Sequence, residues 1–298
     1  MGSFLEQYQN RVTILKLVEE RKVLEEDHVA SFDHPFPPTH VAFLPGDSAS
    51  RPDLLATSGD VIRIWIIEDG QPTEMRVVMK DTAISNRGTV TCFDWNDLDP
   101  KAIISGSTSG ILTSWDVELG LPKTRVQMHD GDVFDCQWGA VDVVASSSSD
   151  ASVRLLDLRD DQSCMILLES ENKSPIVRLD WNKVDPRYMA MTTAHDPKVL
   201  VLDIRRPNEP LLELDQHLKV CNAIQWSGIA PGCICTAGDD GNALIWNLGN
   251  LQEVKPGAKV NPDLMHRSGA PINQICWSPM SPNWLATTST NTTRVMRV

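Results

Sequence analysis

Short runs in which apolar and polar residues alternate recur along the whole chain, and five of them end at or near a tryptophan. These runs are TVTCFDW, DVFDCQW, PIVRLDW, VCNAIQW and INQICWS, with Trp95, Trp138, Trp181, Trp226 and Trp277. Such alternation predicts β-strands with one buried face. A second kind of run is VIRIWIIE, ILTSWDVE and NALIWNLG, with Trp65, Trp115 and Trp246. Eight of the nine tryptophans therefore occupy two recurring strand positions.

The second strand position is also present where leucine or methionine replaces tryptophan. It falls at residues 15, 65, 115, 156, 202, 246 and 296, which gives seven copies of one repeat. A small Ser/Thr-rich run, such as LLATSGD or CICTAGDD, lies between the two strand positions. Each copy therefore predicts an inner strand, a middle strand, a tight polar turn, a third strand and a variable outer strand. Four antiparallel strands per copy, at a period close to that of WD repeats, predict an all-β, seven-bladed WD-repeat β-propeller.

We expect one propeller domain over residues 1–298, with the first blade incomplete at the N-terminus. The first copy starts at the end of its middle strand, and the last copy ends on its third strand at Val298. Propellers of this kind usually give an N-terminal strand to the last blade, so the closure of the ring is left open. Either the sequence lacks its first part or the ring has an unpaired edge, which would favour aggregation. We favour the truncated sequence.

Polar residues at fixed places in the copies predict a structural hydrogen-bond network. WD blades join a histidine, a serine or threonine, an aspartate and a tryptophan, and buried polar groups persist only when they are paired. One copy supplies this tetrad as His217, Thr236, Asp240 and Trp246. An earlier copy supplies His129, Asp150 and either Ser146 or Ser147, with Leu156 in place of the tryptophan.

Charge and cysteine usage narrow the class of protein. The formal net charge of −13 argues against direct nucleic-acid binding by a broad basic face and suits basic partner segments. The seven cysteines form no CxxC pair, which favours free thiols in a reducing compartment. No apolar run approaches the length of a membrane span. We therefore expect a soluble intracellular protein that does not bind membranes. A monomeric propeller located in the nucleus and cytoplasm is our prediction for its state and place.

The sequence offers one candidate for catalysis or metal binding, in the acidic segment around His129 and Asp150. Asp130, Asp132 and Asp135 could complete such a cluster. The same residue types recur at equivalent places in other copies, whereas a catalytic site would be used once. We therefore expect a non-catalytic protein with no metal and no cofactor. Enzyme chemistry stays a remote alternative, because propeller folds do host enzymes.

Two short motifs stand at the same point of consecutive copies. They are LDLR, with Asp157 and Arg159, and LDIR, with Asp203 and Arg205. They resemble the WDxR boxes with which substrate receptors of cullin-four ligases bind the DDB-one adaptor, although leucine replaces the tryptophan in both. An arginine fork there can bind carbonyls or carboxylates of a partner. The alternative, which the sequence supports equally, is a structural ion pair to a neighbouring blade.

Longer segments resemble one WD-repeat family in order along the whole chain. The segments are GSFLEQYQNRV, DHPFPPT, DLLATSGD, FDWNDLDP, VRLLDLRD, RLDWNKVDPRYMA, VLDIR, GDDGNALIW and the terminal MRV. They are similar to the plant Transparent Testa Glabra and light-regulated WD proteins and to their animal counterpart, DDB-one- and cullin-four-associated factor seven. The first nine residues, which begin this resemblance, lie outside the part of the chain that the structure describes.

The resemblance implies a platform for other proteins and no catalytic residue. Plant members of the family join MYB and basic helix-loop-helix transcription factors, and animal members hold DYRK-type and homeodomain-interacting kinases. We therefore expect a scaffold for transcription-factor or kinase complexes that acts by raising the local concentration of its partners. The alternative is a substrate receptor of a cullin-four ubiquitin ligase that docks the DDB-one adaptor through the Asp157–Arg159 and Asp203–Arg205 boxes.

Overall fold

The structure is a computed structural model that describes residues 10–18, 23–46, 53–68, 71–79, 88–160, 164–279, 283–290 and 292–298. These residues contain 25 β-strands. The chain groups into two compact units, Met1–Val141 and Asp142–Val298, which are described in turn. The single domain expected over residues 1–298 stays a prediction.

The first unit contains the strands β1 to β11. They are β1 (Asn10–Val18), β2 (Val23–His34), β3 (Val41–Phe43), β4 (Asp53–Ser58), β5 (Ile62–Glu68), β6 (Gln71–Met79), β7 (Val90–Trp95), β8 (Ala102–Ser107), β9 (Ile111–Asp116), β10 (Leu121–Gln127) and β11 (Val133–Trp138). β1 and β2 form a two-stranded antiparallel sheet. β3 to β6 form one four-stranded sheet, which we name blade 1, and β7 to β10 form another, blade 2.

The second unit contains β12 to β25. They are β12 (Val143–Ser148), β13 (Ser152–Asp157), β14 (Cys164–Glu169), β15 (Ile176–Trp181), β16 (Tyr188–Thr193), β17 (Val199–Asp203), β18 (Pro210–Leu214), β19 (Cys221–Trp226), β20 (Cys233–Gly238), β21 (Asn242–Asn247), β22 (Leu264–Arg267), β23 (Ile272–Trp277), β24 (Trp284–Ser289) and β25 (Thr293–Arg297). In this unit β12 to β14 form blade 3, β15 to β18 blade 4, β19 to β22 blade 5 and β23 to β25 blade 6.

The middle and third strands of the blades supply much of the core because their residues are buried on both faces. β16 is buried along its whole length, and in β20 every residue after Cys233 is buried. In blade 5, Trp246 lies opposite Ile234 in an antiparallel register and is fully buried. Strands that are covered on both sides lack an alternating polar face, and the middle strands β16 and β20 accordingly carry uncharged residues along their whole length.

The prediction of an all-β WD-repeat β-propeller is confirmed, but the prediction of seven blades is wrong, because the described residues form six. In that part of the chain the first repeat copy contributes only β1 and β2, which pair with each other. Two strands of one hairpin are fewer than the three or four of the six blades. Counting recurring positions in the sequence therefore overstated the number of blades, because a position such as Leu15 marks one strand and not a whole sheet.

Candidate functional site

The first Asp–Arg box follows the end of β13. The carboxylate of Asp157 accepts the backbone N–H of Arg159 at 3.0 Å and the side-chain Nε at 2.8 Å, and Nη2 completes a bidentate pair. The side-chain hydrogen bond from Arg159, and then the backbone one, lower the pKa of Asp157 to about 2. The Arg159 side chain is 69% exposed, so its outer edge faces solvent while its inner edge is fixed.

The second box repeats this geometry after β17. Asp203 accepts the backbone N–H of Arg205 at 3.0 Å, Nε at 2.8 Å and Nη2 at 2.6 Å. The Asp203 side chain is only 7% exposed, whereas that of Arg205 is 55% exposed. The hydrogen bond from Arg205 lowers the pKa of Asp203 and raises that of the guanidinium. In both boxes the described ion pair therefore joins two residues of the same motif. The structural alternative predicts an ion pair to a neighbouring blade instead.

A third pair of the same kind was missed by the sequence analysis. Asp185 and Arg187 lie in the turn between β15 and β16, and Asp185 binds Nε at 2.7 Å and Nη2 at 2.6 Å. The backbone carbonyl of Arg187 accepts the N–H of Ile204 at 2.9 Å, so this pair lies beside the Asp203 box in blade 4. The D-x-R spacing in DPR is the signal that could have found it.

Four residues of blade 5 are joined in a buried network. His217 Nδ1 lies 2.9 Å from Asp240 Oδ2, and His217 Nε2 lies 2.8 Å from Thr236 Oγ1. The indole N–H of Trp246 donates to the same Thr236 oxygen at 2.9 Å. Asp240 also accepts the backbone N–H of Leu218 at 3.1 Å. In one consistent arrangement, the Thr236 hydroxyl accepts from Trp246 and donates to Nε2 of His217, and the N–H at Nδ1 of His217 donates to Asp240. Every donor in the network is then used.

The other predicted copy of the tetrad is spread over both units. His129 is buried in the first unit, and Asp150 lies in the second. Asp150 accepts the hydroxyl of Ser152 at 2.7 Å and pairs with Arg154 Nη2 at 3.3 Å. The register gives Ser146 the place of Thr236, because Ser146 lies opposite Arg154 as Thr236 lies opposite Leu244.

A related network, which the sequence analysis missed, joins His34 at the end of β2 to blade 1. His34 Nε2 lies 3.0 Å from Thr57 Oγ1, and Trp65 Nε1 donates to that oxygen at 2.9 Å. His34 Nδ1 bonds the backbone carbonyl of Phe36. The turn aspartate, Asp60, instead forms a bidentate pair with Arg63. The sequence could have shown this network, since a histidine precedes the run LLATSGD by about the usual interval.

Inner strands of successive blades are linked by a hydrogen-bond pair that the sequence analysis also missed. In the first unit, the backbone N–H of Trp138 donates to Asp94 Oδ2 at 2.8 Å, and its indole N–H donates to Asp94 O at 3.1 Å. In the second unit, Trp226 makes the same two bonds to Asp180. Gln225 replaces the aspartate in the next link, where it binds Trp277. The signal is the dipeptide Asp-Trp or Gln-Trp at the end of an inner strand.

Two observations in the described residues concern metal binding and thiol reactivity. No group of three or more His, Cys, Asp or Glu side chains lies close enough there to hold a metal ion. Burial raises the pKa of the thiols of Cys221 and Cys235, which disfavours the nucleophilic thiolate. In the part of the chain described here, no helix has the length and apolar character needed to cross a bilayer.

The repeated four-stranded sheets, the tetrad and the inner-strand tryptophans together define a WD-repeat β-propeller. No family model matches the chain. It is 37% identical over its whole length to 90% of a DDB1- and CUL4-associated factor 7 homolog from Dictyostelium discoideum. It is 26% identical to a WD repeat-containing protein of Saccharomyces cerevisiae, over 89% of this chain and 57% of the relative. It is 20% identical to the E3 ubiquitin-protein ligase COP1 of Arabidopsis thaliana, over 82% of this chain and 43% of that protein.

The chain therefore belongs to the DDB1- and CUL4-associated factor 7 family of WD-repeat proteins. Such a propeller serves as a WD scaffold or as an adaptor of cullin ligases, and its partners are proteins.

Proposed function

We propose that this chain is a non-catalytic scaffold that binds regulatory proteins at the same time, and that its two Asp–Arg boxes bind one of them directly. One observation carries the second part of the proposal. Asp157–Arg159 and Asp203–Arg205 have the same bidentate geometry at the same point of blades 3 and 4, with each arginine more than half exposed. A guanidinium fixed along one edge loses little conformational freedom when its other edge binds a partner.

The partner proposed for the boxes is the DDB1 adaptor of a cullin-four ligase, which would make this chain a substrate receptor. The name of the Dictyostelium relative supports this proposal, since it describes association with DDB1 and CUL4. The similarity to a ubiquitin-protein ligase supports it further. Leucine at residues 156 and 202, where a WDxR box has tryptophan, is fully compatible with the fixed Asp–Arg pairs, because both leucines are buried in the third strands.

The remaining surface is proposed to hold transcription factors of the MYB and basic helix-loop-helix classes, or DYRK-type kinases, as the family resemblance implies. Nuclear and cytoplasmic localisation is proposed on the same ground. Under this proposal the adaptor and the regulatory partners bind to different surfaces. A change in the Asp–Arg boxes should then separate the two activities.

The test is affinity purification of the full chain from its native cells, with partners identified by mass spectrometry. The double variant R159E/R205E reverses both forks and is expected to lose DDB1 and CUL4 while it retains transcription factors or kinases. R267E is the matched control, because Arg267 is an exposed arginine on the outer strand β22. A melting curve of each variant shows whether the fold tolerates a glutamate beside Asp203, whose side chain is only 7% exposed.

Unchanged recovery of DDB1 and CUL4 by the double variant would overturn adaptor docking through the boxes. Recovery of kinases or transcription factors without DDB1 by the wild-type chain would leave the scaffold as the function, with the boxes as structural elements. Replacement by lysine, in R159K/R205K, keeps the charge but loses the fork, and an intermediate recovery is expected.

A further inference from the structure

One cross-strand position recurs in blades 2, 3 and 4, where the turn before the middle strand meets the turn after the third strand. In blade 2 it is marked by the backbone bond from Val117 N to Lys101 O, at 2.8 Å. The residue after the donor, Glu118, lies beside the acceptor residue. Glu118 and Lys101 form an ion pair at 3.0 Å, so opposite charges meet at this position.

Blade 3 has the same arrangement with the signs exchanged. Leu158 N donates to Asp142 O at 2.8 Å, which places Arg159 near Asp142. The pKa of Arg159 is raised first by its bonds with Asp157 and then by the negative charge of Asp142. An arginine here is therefore balanced both within its own box and across the strands.

Blade 4 breaks this pattern, because both side chains at the position are arginines. Ile204 N donates to Arg187 O at 2.9 Å, which places Arg205 beside Arg187. Like charges at neighbouring cross-strand positions are destabilising. Each arginine is fixed by its own aspartate, Asp185 or Asp203, so neither can turn away from the other without losing a bidentate pair. The pKa of Arg205 is raised first by its hydrogen bond with Asp203 and also by the charge of Asp185, so the two carboxylates offset part of this repulsion.

The surrounding surface of blade 4 is basic on a chain with a net charge of −13. The turns at 182–187 and 203–206 carry four cations and two carboxylates, namely Lys183, Arg187, Arg205, Arg206, Asp185 and Asp203. The equivalent turns of blade 3, 139–142 and 157–160, carry one cation and three carboxylates, namely Arg159, Asp142, Asp157 and Asp160. Val184, which is 39% exposed, adds an apolar side chain to the turn before β16.

An acceptor already occupies the outer edge of Arg187. With the amide of Gln252 oriented to satisfy hydrogen bonding, its oxygen accepts from Arg187 Nη1 at 3.1 Å and from Nη2 at 2.6 Å. Gln252 is an exposed residue of the segment that follows blade 5's third strand. This edge of the guanidinium therefore binds a planar oxygen acceptor, and a partner carboxylate, which is a stronger acceptor than an amide, would displace Gln252 there.

We propose that Arg187 and Arg205 form a paired-arginine surface that binds a carboxylate-rich segment of a partner protein, with Val184 as its apolar neighbour. The proposal rests on the docking function of the Asp203–Arg205 box and adds to it a residue and the chemistry of the partner. Carboxylates fit the planar edges of guanidinium groups bidentately. A nucleic acid is disfavoured because its phosphate backbone needs a broad basic face, whereas the cations of blade 4 lie in two short turns.

The test is a fluorescence anisotropy titration of the full chain with a short labelled peptide of alternating Glu and Gly. A peptide with Gln in place of Glu is the charge control. R187Q and R205Q are each expected to weaken binding of the Glu peptide by about three- to tenfold, as for a partly exposed charged hydrogen bond. R267Q is the matched control, since Arg267 is an exposed arginine on the outer strand β22, and it is expected to leave the affinity unchanged.

Equal binding of the Gln peptide, or an equal loss in R267Q and R187Q, would overturn the paired-arginine surface. Binding of a phosphopeptide or an oligonucleotide through the same arginines, without binding of the Glu peptide, would overturn the carboxylate assignment. R205K keeps the charge beside the nearly buried Asp203 and is expected to retain part of the affinity. Retention of that part distinguishes a lost contact from a misfolded chain.

A gain-of-function variant tests the pairing itself. D142R places a second arginine beside Arg159 and should give blade 3 an additional site for the Glu peptide, whereas D142N only removes the opposing charge. Equal peptide binding by D142R and D142N would contradict the pairing. The outcome is separate from adaptor docking: peptide binding that depends on Arg187, together with full DDB1 recovery by R159E/R205E, would sink only the proposed docking function.

Discussion

The hydroxyl of Thr236 is the junction of the blade 5 tetrad, and its removal tests the network without a change of shape. Thr236→Val keeps the branched side chain but leaves His217 Nε2 and the indole N–H of Trp246 without their common partner. Both Thr236 and Trp246 are fully buried, so water cannot replace the lost hydroxyl without a local rearrangement.

The magnitude follows from the two bonds that are lost. An unsatisfied buried donor or acceptor costs about 1–3 kcal/mol, so the variant is expected to lose roughly 2–4 kcal/mol of unfolding free energy. For a chain of this size that corresponds to a fall in Tm of roughly 4–10 °C. The assay is urea unfolding followed by tryptophan fluorescence, together with a thermal melt at several scan rates, since large chains often unfold irreversibly.

Thr192→Val is the matched control. Thr192 lies in the middle strand of blade 4 and is as fully buried as Thr236, but its hydroxyl has no hydrogen-bond partner among the described residues. The same chemical change should therefore be neutral or slightly stabilising there. Equal losses in the two variants would refute the reasoning, because the cost would then come from packing of the valine and not from the network.

Three further predictions concern the same blades. Asp180→Ala removes the charged acceptor of the backbone N–H of Trp226 and should cost about 2–3 kcal/mol, measured by urea unfolding. Gly232→Ala should lower Tm strongly, because φ is +75° and a Cβ would lie 2.3 Å from a backbone oxygen, while Gly228→Ala, with open space around it, should be tolerated. Burial alone would raise the pKa of Asp240, but backbone and histidine hydrogen bonds outweigh it and leave the pKa below its ordinary value. The ionised Asp240 therefore stabilises the fold at pH values above the pKa of a free aspartate, and this contribution is lost as pH falls through the folded-state pKa. The variant D240N lacks this titration, so the fall of its Tm with decreasing pH should be less steep.

The tetrad could be located from the sequence because its members belong to one blade. His217 precedes the inner strand β19, and the other three members lie in the hairpin of β20 and β21, so their spacing is set by the lengths of three consecutive strands. The link between Asp180 and Trp226 joins two blades across 46 residues. Its spacing depends on loop lengths that differ between copies, and no local pattern fixes it.

The proposed docking residues likewise include a pair that the sequence could predict and a pair that only the fold brings together. Asp157 and Arg159 are close in sequence, and the turn after a strand lets the carboxylate capture the backbone and side chain of the residue two positions on. The juxtaposition of Arg187 and Arg205 depends on the antiparallel register of β16 and β17, in which Tyr188 lies opposite Asp203. A register is a property of the folded sheet, which explains why the sequence did not single out Arg187.

The blade count failed for a related reason. Leu15 occupies the recurring position of the third strand, and its neighbours do form a strand, β1. A repeat position identifies one strand, but a blade also requires the inner and middle strands to be present beside it. In the described residues before blade 1, the chain supplies β1 and β2 alone, and these pair with each other.

Hydrogen–deuterium exchange of the full chain, free and in complex with its purified adaptor partner, tests the docking proposal most directly. Docking through the Asp–Arg boxes predicts slower exchange of backbone amides on binding in the turns at 157–160 and 203–206, together with the neighbouring turn at 182–187. R159E/R205E should abolish that protection. Protection confined to other loops, with these three turns exchanging as in the free chain, would contradict docking through the Asp–Arg boxes.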